Sequence, residues 1–175
     1  MKHITLIIIA MLFSVVAFAQ QSLDTDFTQT KLIKVSGKSI QKEGHLTYDG
    51  NEHLTMTYTQ PEGDYFIIDG NMVRIKMDSK PKTDLDASKV KMVQLQRSTL
   101  LNCLAGNWEQ AAADNNAGLM VTEMNGLKTV SIVAQGKVQR GGYNSIELVY
   151  RLSDGVLTKL VLEEATGIQN TYELK

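Results

Sequence analysis

The sequence contains a single cysteine and only three histidines among its 175 residues. One thiol excludes an internal disulfide framework, so the folded chain has to be stabilised by its core. Cys103 lies in an apolar stretch, where a free cysteine ordinarily behaves as a small buried hydrophobic residue. His45 and His53 alternate with apolar neighbours along two strand-like segments. We therefore expect both imidazoles on the solvent face and no metal site.

The sequence also lacks an excess of charge of either sign, since its formal net charge at pH 7 is −1. A near-neutral chain has no bulk electrostatic attraction to nucleic acid, so nucleic-acid binding is not expected. Glu163 and Glu164 are consecutive in a strand-like segment and point to opposite faces, which argues against a shared acid/base pair. No nucleophile elbow is present in the sequence. We expect neither enzymatic activity nor a bound cofactor.

A secretory signal peptide is predicted over residues 1–19. Lys2 precedes an apolar run at residues 4–13, and Ala17-Phe18-Ala19 supplies the small-x-small cleavage pattern. The apolar run is too short for a membrane anchor. No cysteine lies near the cleavage site, so a lipid anchor through a processed N-terminal cysteine is not expected. We predict a soluble periplasmic protein formed by one domain over residues 20–175.

Period-2 alternation of apolar and polar residues dominates the predicted domain and indicates half-buried β-strands. A long hairpin is predicted over residues 27–49, with Gly37 at its turn, and Asp49-Gly50-Asn51 forms the next turn. In the strand that follows, Leu54 begins an apolar face that alternates with a polar one. Further strands are predicted at residues 117–124, 127–135, 145–152, 156–164 and 168–175.

A change of period between these two blocks predicts a helix over about residues 87–105. Residues 78–88 before it are predicted to form a polar loop, and residues 108–113 a short second helix. About ten antiparallel strands with one helical insert can close into a barrel or curl into an open half-barrel over the helix. We predict the mainly β, unclosed half-barrel covered by a helical lid, because that arrangement leaves an apolar cavity.

The apolar faces of these strands and of the helix supply the candidate lipid-binding side chains. An ordinary packed core explains the same residues, and the two interpretations differ only in whether space remains between the helix and the sheet. The predicted cavity lining consists of Leu46, Tyr48, Leu54, Met56, Tyr58, Val73, Ile75, Met77, Val93, Leu100 and Leu104.

Four short motifs in register resemble the LolA family, the periplasmic carriers of outer-membrane lipoproteins. They lie between Phe27 and Met77 and read Phe27-Thr28-Gln29, Gly44-x-Leu46, Thr59-Gln60-Pro61 and Ile68-Asp69-Gly70. Beyond Met77 the resemblance is one of architecture only. It implies an unclosed β-barrel whose concave face holds the acyl chains of a lipoprotein. It also implies an inner-membrane transporter that delivers the cargo and an outer-membrane acceptor that receives it.

Three departures from the family pattern are present. Only a few residues of the predicted mature chain precede Phe27, where the family has an N-terminal helix. Met56 replaces a common aromatic residue, and Gly50 stands where the family has an arginine of functional importance. We expect this absence to remove a polar contact that holds the lid. We expect a monomeric carrier of lipoprotein acyl chains or of another lipid. The alternative is a lipid-sensing or protein-interaction module of the same fold with no transport role.

Overall fold

The computed structural model describes residues 22–78 and 80–175. The predicted signal peptide over residues 1–19, and the first mature residue Gln20, lie outside the described residues. No helix in the described part of the chain is long and apolar enough to cross a bilayer.

The described chain forms eleven strands and two helices. The first block of strands is β1 (Leu23–Ile33), β2 (Lys38–Tyr48), β3 (His53–Gln60), β4 (Glu62–Asp69), β5 (Met72–Lys76) and β6 (Thr83–Asp86). The helices follow as α1 (Lys91–Leu104) and α2 (Trp108–Asp114). The second block is β7 (Ala117–Met124), β8 (Leu127–Ala134), β9 (Tyr143–Arg151), β10 (Leu157–Glu164) and β11 (Ile168–Leu174).

All eleven strands belong to one antiparallel sheet with the order β6-β5-β4-β3-β2-β1-β11-β10-β9-β8-β7. Each block is a meander, and the pairing of the first strand with the last joins the two blocks at the centre. β6 and β7 are the two edges and are not paired with each other. The helices α1 and α2 connect these edges, and we call them together the helical lid. The predicted half-barrel covered by helices is confirmed.

The concave face of the sheet is apolar because the strands alternate as their sequences predict. In β3, Leu54, Met56 and Tyr58 are buried. His53, which precedes Leu54, and Thr57, which lies between Met56 and Tyr58, are exposed. The buried side chains of α1 belong to the same hydrophobic cluster as those of the sheet. The core therefore lies between the sheet and the lid.

Two expectations about the elements are corrected. The sheet has eleven strands rather than about ten, because part of the predicted polar loop at residues 78–88 forms β6. This segment pairs with β5 through its backbone, from Thr83 opposite Ile75 to Asp86 opposite Met72. Its sequence does not read as a strand because an edge strand needs few apolar side chains and is commonly charged. The predicted helix at 87–105 begins later, at Lys91.

The close approach of β2 to the Phe27 side chain leaves room only for glycine at position 44. The two residues are directly opposite in the register of β1 and β2, and the Phe27 ring is fully buried. A Cβ atom at Gly44 would lie 2.6 Å from Cζ of Phe27 and would also collide with the carbonyl oxygen of Thr57. The Phe27 ring packs edge-on against Tyr58 and Tyr172, so it has little room to move. Packing around Phe27 therefore requires the glycine of the Gly44-x-Leu46 motif.

We predict that Gly44→Ala lowers the free energy of unfolding by about 1–3 kcal/mol, the usual cost of overpacking a core. Thr47→Ala, at an exposed position of the same strand, is the control and should change stability little. Denaturant unfolding of both variants measures the difference. Equal stability of the two variants would show that the sheet accommodates the methyl group.

Candidate functional site

A cavity of about 260 Å³ lies between the concave face of the sheet and the lid. Both blocks of strands and α1 contribute to its wall. Most of the wall is aliphatic or aromatic, and a smaller part is polar. The apolar lining residues are Leu46, Leu54, Met56, Tyr58, Phe66, Ile75, Met77, Leu100, Leu104, Tyr143, Leu157, Leu160, Leu162, Tyr172 and Leu174.

Most of the residues proposed from the sequence lie together in this wall. Three of them do not line the cavity: Tyr48, Val73 and Val93 are buried in the surrounding core. The residues that do line it are Leu46, Leu54, Met56, Tyr58, Ile75, Met77, Leu100 and Leu104. Their role in lipid binding remains a prediction.

The second block of strands supplies a share of the wall that the sequence prediction omitted. Leu160 and Leu162 of β10 and Leu174 of β11 line the cavity from the side opposite β3 and β5. Their alternation was visible in the sequence. The face that meets the cavity could be chosen only once the pairing of β1 with β11 was known, because that pairing joins the two blocks.

One end of the cavity is polar and is built around a buried lysine. The Lys42 ammonium lies 3.0 Å from Oδ2 of Asp64 and 2.6 Å from Oδ1 of Asp78. The side chains of Lys42 and Asp64 are only 7% and 5% exposed, whereas Asp78 is half exposed. Burial opposes the charge on Lys42, but the hydrogen bonds to Asp78 and Asp64 outweigh it and raise the pKa of Lys42. The hydrogen bond from Lys42 lowers the pKa of Asp78.

A chain of side-chain hydrogen bonds lies beside Lys42 on the same face. Gln29 of β1 is directly opposite Lys42 of β2 on one side and Tyr172 of β11 on the other. Nε2 of Gln29 donates to Oδ1 of Asn170 at 2.9 Å and to the Tyr172 hydroxyl at 3.3 Å. Nδ2 of Asn170 donates in turn to Oε1 of Glu164 at 3.3 Å. All of these residues line the cavity.

The lid is held to the sheet by an arginine that comes from the helix. Nε of Arg97 on α1 donates to the carbonyl oxygen of Gly70 at 2.6 Å, in the turn between β4 and β5. Nη2 of Arg97 lies 3.0 Å from Oε1 of Glu52, in the turn between β2 and β3. The expected absence of a polar contact at the lid is therefore wrong. Position 50 is a glycine and supplies no such contact, but Arg97 of α1 joins the lid to the two neighbouring turns.

Position 50 is also unsuited to a side chain. Gly50 is buried and has a φ of +85°, in the left-handed region that favours glycine. An arginine installed there would introduce backbone strain together with its charge. Gly50→Arg and Gly50→Ala would therefore both report on strain, and the contact at the lid is better tested at Arg97.

The cavity wall combines apolar side chains with a few lysine, carboxylate and amide side chains. Its described residues include no histidine, cysteine or serine that could act as a nucleophile or as its base. No group of three potential metal-ligating side chains occurs among the described residues. Cys103 is buried, and burial raises the pKa of its thiol to about 12, so the thiolate does not form near neutrality.

Both surface histidines are paired with carboxylates on the outer side of the sheet. Nδ1 of His45 lies 2.8 Å from Asp26, and Nε2 lies 2.8 Å from Asp24. The hydrogen bond to Asp26, with a further one to Asp24, raises the pKa of His45 despite a small opposing effect of desolvation. Nδ1 of His53 lies 3.1 Å from Asp69. Neither imidazole belongs to the cavity wall.

No protein-family model matches the chain, and no curated protein matches it. Solved structures with a similar arrangement were found at low sequence identity. A LolA superfamily protein from Nitrosomonas europaea has 13% identity and a TM-score of 0.41, with 90% of this chain and 86% of that chain covered. An uncharacterised conserved protein from Thermus thermophilus has 10% identity and a TM-score of 0.41, with 87% and 80% covered.

A third similar structure is a domain provisionally described as an outer membrane lipoprotein-sorting protein, from Vibrio parahaemolyticus. It has 8% identity and a TM-score of 0.43, with 90% of this chain and 85% of that chain covered. LolA superfamily and lipoprotein-sorting proteins are thus among the solved structures to which this chain is similar in arrangement.

Proposed function

We propose that this protein binds the acyl chain of a lipoprotein or of another lipid in the cavity beneath the lid and carries it through the periplasm. The observation that carries the proposal is the cavity of about 260 Å³ whose wall is mainly apolar, formed by aliphatic and aromatic side chains. Transfer of an acyl chain from water into such a wall is favourable by roughly 0.8 kcal/mol for each methylene group. Apolar shelter of this kind is what a carrier of lipid has to provide.

The size of the cavity limits what this conformation can hold. It lies just below the range of roughly 300–1,000 Å³ that is typical of small-molecule sites. One acyl chain or part of one fits the observed space, and a cargo with several chains requires the lid to move outward. The lid is suited to such a movement, because Arg97 is its described charged contact with the turns of β2–β3 and β4–β5.

The remaining parts of the proposal follow from the predicted signal peptide and from the family resemblance. Export through the signal peptide would place the domain in the periplasm. An inner-membrane transporter would load the cargo, and an outer-membrane acceptor would receive it. We propose that the carrier acts as a monomer and performs no reaction on its cargo.

Partly filling the cavity should weaken binding of an acyl chain while leaving the fold intact. Met77 lies in the cavity wall and is only partly buried. Met77→Trp should displace at least two methylene groups of a ligand, or roughly 1.6 kcal/mol, and so weaken binding about tenfold or more. Titration of the purified protein with a fluorescent fatty-acyl probe measures the affinity.

Met120→Trp is the matched control, because Met120 is 60% exposed on the edge strand β7. It should bind the probe as the unaltered protein does. Equal affinity of the two tryptophan variants would place the probe outside the cavity. If the unaltered protein binds no acyl probe, the carrier proposal fails and the alternative of a protein-interaction module replaces it.

A further inference from the structure

We infer that the polar end of the cavity recognises a hydrogen-bond donor on the head of the lipid, and that Oε1 of Gln29 is the acceptor. The inference deepens the proposed function and rests on it, because it concerns which class of amphiphile occupies the same cavity. The ligand class is a single-chain lipid with a neutral donor next to the chain, such as an amide N–H or a hydroxyl group.

The orientation of the Gln29 amide is fixed by the hydrogen bonds around it. The Glu164 carboxylate can only accept, so Asn170 presents its Nδ2 to Glu164 and its Oδ1 towards Gln29. Gln29 must then present Nε2 to Asn170, which it does at 2.9 Å. Turning either amide round would place two acceptors against each other. The amide oxygen of Gln29 therefore lies at the open end of this hydrogen-bonded chain.

That oxygen has no hydrogen-bond partner among the described residues, although Gln29 is only 7% exposed. A buried acceptor without a partner costs free energy, because it has lost its hydrogen bonds to water. A ligand that brings a donor to this atom recovers that cost, whereas a ligand without a donor does not. The structure thus favours one class of ligand over another of the same shape.

The acceptor is placed where the head of a bound lipid would lie. Gln29 lines the cavity, between Lys42 and Tyr172 in one row across the sheet. The aliphatic part of the wall extends from this row towards Leu46 and Leu174. Oε1 itself is covered in this conformation, so a donor reaches it when neighbouring side chains shift. An acyl chain with its head at Gln29 has its methylene groups against the aliphatic wall.

The charges at this end favour a neutral head over a carboxylate. Lys31 and Lys42 are the cations of the cavity wall, and Lys42 is already hydrogen-bonded to two carboxylates. Asp78 and Glu164 of the wall balance these two lysines, and the buried Asp64 next to Lys42 adds one further negative charge. A fatty-acid carboxylate would add another negative charge and would bring no donor for Gln29.

Lauramide and methyl laurate test the inference, because they have the same acyl chain and neutral heads of similar size, and only the amide is a donor. We expect lauramide to displace the fluorescent fatty-acyl probe from the unaltered protein about tenfold more effectively than methyl laurate, the ratio expected for one buried hydrogen bond. We expect laurate to be weaker than lauramide. These comparisons need no variant.

Gln29→Met removes the acceptor and keeps the length of the side chain. In this variant the affinities for lauramide and for methyl laurate should become nearly equal, while the fluorescent probe still binds. Gln41→Met, on the exposed face of β2, is the matched control and should keep the ratio of the unaltered protein.

The possible failures are distinguishable. If neither ligand nor the probe binds, the proposed function itself is wrong. If the unaltered protein binds the amide and the ester equally, the cavity holds acyl chains and the inferred role of Gln29 is wrong. If laurate binds more tightly than lauramide, a lysine such as Lys31 anchors the head, and the inference is likewise overturned. A ratio that persists in Gln29→Met would assign the acceptor to another residue.

Discussion

Replacing Lys42 by methionine is expected to lower the free energy of unfolding by about 3–5 kcal/mol, the usual effect of breaking a buried ion pair. The substitution leaves the Asp64 carboxylate buried, 5% exposed, without the ammonium that lies 3.0 Å away. Asp64 would keep a hydrogen bond from the backbone N–H of Asp78 at 3.0 Å, which compensates only part of the loss. Denaturant unfolding measures the change.

Two further variants distinguish the cost of the unpaired Asp64 carboxylate from the general effect of replacing a lysine by methionine. The double variant Lys42→Met with Asp64→Asn should be more stable than Lys42→Met alone, because it removes the uncompensated carboxylate. Lys89→Met is the control, since Lys89 is 79% exposed and pairs with Asp86 at 3.3 Å. It should change stability by less than about 1 kcal/mol. If Lys42→Met behaved like Lys89→Met, the ion pair would not be buried in solution.

The pH dependence of the unaltered protein should reflect the same cluster. Asp78 has a lowered pKa, so its contribution to stability is fully present above its unfolded value of 3.8 and is lost as the pH falls through its lower folded value. Lys42 has a raised pKa, so its contribution is present below 10.5 and is lost only as the pH rises through a higher folded value. Between these limits the cluster should add no pH dependence to stability.

Replacing Arg97 by methionine is expected to speed the exchange of a bound acyl probe by about tenfold or more. The Arg97 side chain is 13% exposed, and its Nε donates a 2.6 Å hydrogen bond from the lid to the carbonyl oxygen of Gly70. Hydrogen bonds from charged groups contribute about 1.5–3 kcal/mol, and about 1.4 kcal/mol corresponds to a tenfold change. Methionine keeps the apolar part of the side chain. Stopped-flow displacement of the probe measures its release rate.

Arg151→Met provides the control for Arg97→Met. Arg151 forms an exposed ion pair with Asp154 in the turn between β9 and β10 and makes no described contact with the lid. Its removal should leave the release rate unchanged. Glu52→Gln tests the outer half of the Arg97 contact and should have a smaller effect, because Glu52 is 54% exposed. Unchanged release from Arg97→Met would mean that other contacts keep the lid closed, among them the hydrogen bond from Trp108 of α2 to Tyr150 of β9.

The local pattern of the sequence was sufficient to predict most of the strands and both helices. In β3 the alternation of Leu54, Met56 and Tyr58 with polar residues defines which face is buried, and the structure buries all three. The change to helical spacing predicted α1, whose inner face carries Leu100 and Leu104. These features depend on residues close together in the chain, which is why periodicity reveals them. β6 was missed because its pairing is made by the backbone at a sheet edge.

The tertiary structure alone decided how the cavity is completed. The pairing of β1 with β11 brings Gln29 beside Tyr172 and Asn170, which are more than a hundred residues away in the sequence. Lys42 lies within the predicted hairpin at residues 27–49, and only the approach of Asp64 and Asp78 shows why its charge can be buried.

The sequence by itself therefore determined most of the strands, the helices and the alternation of apolar and polar residues along each strand. Only the tertiary structure decided which polar groups meet inside it and that Arg97, on the helix, holds the lid. The physical reason is that a hydrogen bond or an ion pair depends on the distance between atoms from distant segments. Burial of an apolar face depends mainly on the periodicity of one segment.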